Sequence, residues 1–222
     1  MQAGTQRRNT KRLKGPERRQ QIAEAMLALA DTYGIHGVTT AKIAKQVGVS
    51  ESALYMHFDS RDMMLREAID VMYEQELATM SNTSGAEDVI EHFLRLSSLF
   101  TTGTDLGRTL RIKLQLLAAP LSSELRERIL LGEVKRIDAH ITLIEKGKNE
   151  GSIRADVDSR HLVWDLYDAY STESIPAAMI GLRRELQSER DDQLVRLLRT
   201  VATEPTKIER YLDRLERERL VR

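Results

Sequence analysis

Residues 39–58 read Thr39-Thr40-Ala41-Lys42-Ile43-Ala44-Lys45-Gln46-Val47-Gly48-Val49-Ser50-Glu51-Ser52-Ala53-Leu54-Tyr55-Met56-His57-Phe58, and this stretch decides the fold. Ile43, Ala44 and Val47 fall at helical spacing, as do Leu54 and Phe58, and Gly48 stands between the two sets. Two short amphipathic helices around a glycine form a helix-turn-helix, because glycine takes the turn conformation that a Cβ penalises. Thr39 or Thr40 caps the first helix and Ser50 the second, since a hydroxyl there accepts from a backbone N–H that the first turn leaves unpaired. Ala44 is small where the two helices must approach closely.

At 100° per residue, Leu54 and Phe58 define the buried side of the second helix, and Ser52, Ala53 and Met56 point away from it, with Tyr55 and His57 on the flanks. Small residues at 52 and 53 let the helix seat against base edges in a major groove. Tyr55 and His57 carry donors that reach phosphate oxygens, and so does Thr40, at a helix N-terminus whose dipole favours anions. Lys42, Lys45 and Arg61 are placed on the rim, where they add salt-dependent attraction to a duplex. Glu51 favours the helix dipole but repels phosphate. Two roles are open to it, accepting from a cytosine amine or turning aside, and turning aside is the one expected.

Working outward, Ile22, Met26, Leu29, Ala30 and Tyr33 line one face of a preceding helix over about 17–34, which Gly34 and Gly37 end. Residues 1–15 are basic without apolar periodicity and read as a disordered arm. After the motif, a longer helix from about Ser60 carries Leu65, Ala68, Ile69 and Met72 on one face. Loops at Ser81–Gly85 and Thr101–Gly107 bracket helices at about 86–100 and 106–118. Pro120 breaks the chain before a long helix, about 123–148, striped by Leu130, Val134, Ile137, Ile141 and Ile144. Asp158 suits the N-cap of the next helix, which Pro176 should kink or break. Two amphipathic helices, about 189–202 and 205–220, follow.

A 41% hydrophobic share supplies a core, and 31% charged residues with 5% aromatics and 4 prolines point to an all-α fold of long amphipathic helices. No cysteine is present, which excludes disulfides and thiolate metal sites. No secretory segment or membrane span is visible, so a cytoplasmic chain is expected. The zero net charge hides an asymmetry: residues 1–62 carry 10 Lys+Arg against 6 Asp+Glu, and the rest the opposite excess. A basic head on an acidic body suits a nucleic-acid binder with an appended domain. The five histidines form no i, i+4 pair, and neither a phosphate-binding glycine loop nor a nucleophile elbow occurs. No enzyme, cofactor or metal is expected.

The Thr39-Thr40-x-x-Ile43-Ala44 start, Gly48-Val49-Ser50, Ala53-Leu54-Tyr55-x-His57-Phe58 and Ser60-Arg61 together resemble the DNA-binding domain of the TetR family of regulators, closely over about residues 17–68. Gly151-Ser152-Ile153-Arg154-Ala155-Asp156-Val157-Asp158 is similar to the turn before that family's dimerisation helices. The resemblance implies DNA-contacting positions at Thr40, Ser50, Ser52, Ala53, Tyr55, His57 and Arg61, to which the rim residue Lys42 is added. It also implies a three-helix head (16–62) and a helical sensing and dimerisation body (63–222). The expected function is a ligand-responsive repressor, a homodimer on a palindromic operator, with an unidentified small-molecule effector and no membrane partner. Helices at about 158–184 and 189–202 are expected to pair across the two-fold, burying Leu182, Leu186, Leu194, Leu197 and Val201. Trp164, Tyr167, Tyr170, Phe93, Phe100 and His140 read individually as core packing, and no ligand residue is assigned. The alternative is a helical protein–protein scaffold without DNA affinity.

Overall fold

The computed structural model describes residues 15–101, 105–180 and 193–220. Ten α-helices make up the described chain: α1 (Gly15–Tyr33), α2 (Thr40–Val47), α3 (Glu51–Tyr55), α4 (Arg61–Ser81), α5 (Val89–Thr101), α6 (Asp105–Ala118), α7 (Ser123–Asn149), α8 (Ser159–Ile180), α9 (Gln193–Val201) and α10 (Lys207–Leu220). A 3-10 turn at Ile35–Gly37 joins α1 to α2. The described residues contain no strand, only an isolated antiparallel bridge between Ile153 and Ala202. The basic arm lies outside the described residues apart from Gly15, as do Leu182 and Leu186.

The helix starts follow a repeated local chemistry. Thr39 accepts from the Lys42 amide, Ser50 from Ala53, Ser60 from Met63, Ser122 from Leu125, and Asp158 from His161, each three residues ahead. Each cap satisfies one of the amides that a first helical turn orphans. Gly48 ends α2 at φ 74°, in the left-handed region, with its amide bonded to the Ala44 carbonyl.

Two apolar cores organise the molecule. The first gathers Ile22, Met26, Ile43, Val47, Leu54 and Phe58 and continues along α4 through Leu65, Ile69 and Met72 to Ile112, Leu116 and Leu125. The head therefore sits on the body through α4 as one continuous apolar mass. The second core joins Phe93, Ile144, Leu162, Leu166, Leu194, Leu198 and Tyr211 from α5, α7, α8, α9 and α10.

Several expectations are corrected. Of the α7 stripe, Ile144 is buried and Ile137 and Ile141 pack on the second core, but Leu130 and Val134 are 62% and 45% exposed, and Leu125, Gly132 and His140 are buried instead. Leu194 and Val201 are buried within their own subunit, where α9 packs on α8 and α5, so they cannot cross a two-fold. Leu197 packs against the same core. Helix α8 is not broken at Pro176 but continues to Ile180, for a proline removes one amide from the hydrogen-bond ladder and this helix runs past the loss. Asp105, Leu106 and Gly107 belong to α6 rather than to a loop. On α1, Tyr33 is exposed, its ring covered on one face by the Lys42 ammonium at 4.1 Å.

Candidate nucleic-acid interface

Helix α3 buries Leu54 against the first core and leaves its remaining surface outside. Met56 is 83% exposed and Tyr55 49% exposed, beside the exposed Ser50, Glu51 and Ser52 and the half-buried Ala53. Ser50 Oγ accepts from the Ala53 amide at 3.2 Å and shares a 2.9 Å hydrogen bond with Ser52 Oγ. The Thr40 hydroxyl, at the start of α2, donates to Glu51 Oε2 at 2.6 Å. Thr40, Glu51, Ser50 and Ser52 thus form one polar edge where the two helices begin.

Two of the expected contact side chains are engaged elsewhere. Arg61 Nε donates to the Val38 carbonyl at 3.1 Å and Nη2 to the Ile35 carbonyl at 2.7 Å, so its guanidinium braces the loop between α1 and α2. The Lys42 ammonium donates to the Gly37 carbonyl at 2.7 Å while lying over Tyr33. Both cations leave the open rim to Lys45, which is exposed. Half-buried His57 offers its backbone carbonyl to Arg19 Nη1 at 2.6 Å.

Sequence reasoning missed Arg19. Its guanidinium stacks 4.1 Å over the Phe58 ring, bonds the His57 carbonyl and pairs with Glu67 at 2.6 Å, so one α1 side chain fixes the end of the recognition segment against α4. Nothing in local spacing signals a partner 38 residues away.

A second polar assembly lies inside the body. Lys113 on α6 bonds Glu76 on α4 at 2.5 Å and lies 3.2 Å from Glu133 on α7. Arg136 pairs with Glu133 at 2.7 Å, and the Tyr73 hydroxyl donates to Glu133 at 2.7 Å. Burial alone would raise the Glu133 carboxyl, but Lys113 and Arg136 hold it down to about 2. Burial and the hydrogen bond to Glu133 push the Tyr73 phenol up. Gly132 admits the Tyr73 ring, for a Cβ there would lie 2.3 Å from it.

Of the aromatic candidates, Phe93 stacks on His140 with centroids 6.3 Å apart, and Tyr167 meets both His140 and exposed Trp164 edge-on. The Tyr170 hydroxyl donates to the Phe93 carbonyl at 3.4 Å. Burial lowers the His140 imidazole to about 4, so it is neutral. The Phe100 side chain lies outside the described residues. A crevice of about 390 Å³ opens between head and body, with Gln21, Glu24, Gln46, Gln75 and Arg108 on its walls. Among the described residues no three metal-ligating side chains gather, and no helix is long and apolar enough to cross a membrane.

Residues 22–68, the span that builds this head, match the family described as "Bacterial regulatory proteins, tetR family". Over those residues the chain is similar to the TetR family. That description is of regulators rather than of an enzyme. The nucleoid occlusion factor SlmA of Shewanella sediminis (strain HAW-EB3) is 31% identical over 133 residues, 57% of this chain and 59% of that relative. The chain thus spans about three fifths of that curated relative's length. A TetR-family regulator from Cytophaga hutchinsonii superposes with a TM-score of 0.70 at 15% identity, over 87% of this chain and 99% of that one. The regulator FadR from Bacillus subtilis, solved with stearoyl-CoA, does so at 0.60 and 19%, over 82% and 97%. At such identities these likenesses establish the TetR-family fold across head and body, which is all-α with the helix-turn-helix at the N-terminal end.

Proposed function

We propose that this chain is a sequence-specific DNA-binding transcriptional regulator of the cytoplasm, a ligand-responsive repressor that works as a homodimer on a palindromic operator. The observation that carries the reading is the outer side of α3, where Ser52, Tyr55 and Met56 stand in solvent on a helix anchored by Leu54 and capped by Ser50. Small residues flanked by a phenol suit a helix that enters a major groove, with the Tyr55 hydroxyl directed at phosphate. Ser50 and Thr40 border the backbone, and His57 lies at the far end of the same face. In this reading Arg61 and Lys42 act from behind, shaping the loop that presents α2, and Lys45 supplies the open charge. The head spans 16–62 and the sensing and dimerisation body 63–222.

A single head binds weakly, and two copies about 34–36 Å apart read successive turns of a palindrome. Exposed Leu130, Leu131 and Val134 on α7 and Trp164 on α8 are apolar groups that a second subunit would cover. FadR was solved with stearoyl-CoA, which supports a small-molecule effector for this body as well. An effector that fits only one spacing of the heads shifts the population away from DNA.

Selection of genomic fragments by the purified chain, followed by gel shift, tests the reading. A defined palindrome should be enriched, and Tyr55→Ala should weaken binding to it about tenfold, as the loss of one good contact does, with the dimer intact. A chain with no affinity for any duplex at low salt would be the helical scaffold instead. Undiminished binding by Tyr55→Ala would remove that residue from the interface.

A further inference from the structure

We propose that Glu51 reads a cytosine in the operator, with Thr40 as the residue that positions its carboxylate; the inference rests on the DNA-binding reading above. Glu51 is the first residue of α3 and is exposed, next in sequence to the exposed Ser52. Rather than folding back over its own helix, it leans onto Thr40, the first residue of α2. The carboxylate therefore sits between the two helix starts, on the edge that meets the groove. Oε2 accepts the Thr40 proton, and Oε1 accepts nothing among the described residues. Lys42, the cation nearest in sequence to Thr40, is directed to the Gly37 carbonyl and the Tyr33 ring.

What a carboxylate can recognise here follows from its chemistry. An ionised carboxylate only accepts hydrogen bonds, and phosphate repels it, so its partner on a duplex is a base donor. In the major groove guanine presents two acceptors and thymine an acceptor and a methyl group. Adenine offers an amine, but next to the N7 acceptor, which opposes a second carboxylate oxygen. Cytosine N4 is a donor without an adjoining acceptor on its own base edge. The hydrogen bond from Thr40 removes torsional freedom from the Glu51 side chain before DNA arrives, which lowers the ordering cost of the contact. It also commits the Thr40 hydroxyl proton to Glu51, so Thr40 meets a phosphate through its backbone amide. An anion in this place weakens binding to arbitrary sequence, which raises discrimination in favour of the sites that satisfy it.

Selection from a random duplex library with the full-length chain, compared with Glu51→Gln and Thr40→Val, decides the matter. Wild type should enrich cytosine at one symmetric position in each half-site. Glu51→Gln should exchange that preference for adenine, which an amide matches at N6 and N7, bind the wild-type site about tenfold more weakly, and hold random DNA more tightly. Thr40→Val should keep the cytosine but relax the preference by about threefold, the loss of one orienting hydrogen bond, with an unchanged melting temperature. An identical consensus at every position from wild type and Glu51→Gln overturns the inference and leaves the DNA-binding reading standing. Enrichment of no duplex by wild type overturns both.

Discussion

Around α3, Ser52, Glu51 and Tyr55 stand in solvent within about one helical turn, whereas in the body Glu76, Lys113, Glu133 and Arg136 converge from three helices into a largely buried site. The first group is held by short-range devices, a cap and a hydrogen bond between neighbouring helix starts. The second holds itself, each charge stabilised by an opposite charge that folding delivers. The difference teaches where energy and function reside. An exposed polar face contributes little to folding and is open to a partner, while a buried charge network contributes nothing to contact yet tolerates no missing member.

The buried network is tested most severely at Lys113. Lys113→Met leaves Glu76 buried with only Arg136, at 3.7 Å, as a partner, and should cost about 3–5 kcal/mol in urea unfolding. A cost below 1 kcal/mol would show that the network is as dispensable as a surface pair. Next in size is the response to acid. His140 is held at about 4 in the folded chain against an ordinary value of 6.5, so the unfolded chain binds the extra proton between those values. Stability should fall as pH drops from 6.5 to 4, by roughly 3 kcal/mol from this group, and be level above that window. His140→Phe should flatten that part of the profile; an unchanged slope would assign it to other groups.

Gly132→Ala comes third. The added methyl meets the Tyr73 ring at a distance no atom pair sustains, and the resulting shift should cost about 1–3 kcal/mol by thermal melting. A neutral outcome would mean that α4 and α7 part there easily. The smallest effect belongs to the head: Ser50→Ala removes the cap of α3 and should cost about 1 kcal/mol. Because Ser50 also borders the proposed interface, its DNA affinity should fall by more than the stability loss alone explains. Equal losses would confine Ser50 to capping.

Much of the head was legible because its information is local. The spacing of Ile43, Ala44, Val47, Leu54 and Phe58, the glycine at 48 and the cap at Ser50 all act within a few residues, and the structure has each in the expected place. Arg61 and Lys42 read as rim cations because a side chain's charge is visible in sequence while the carbonyl it finds is not; here those are Val38, Ile35 and Gly37. The same limit explains Leu194 and Val201. Periodicity announces an apolar face but not whether α8 of the same chain or a second subunit covers it.

By itself, then, the order of residues determined that the chain is helical, where its caps and left-handed glycine fall, and that a helix-turn-helix stands near its N-terminal end, since short-range sterics and hydrogen bonding settle these. Only the tertiary structure decided that Arg19 clamps Phe58 and the His57 carbonyl, that Glu51 leans on Thr40, and that Glu76, Lys113, Glu133 and Arg136 meet. Those pairings depend on how far helices turn and cross when their apolar faces pack, and no local pattern encodes that angle.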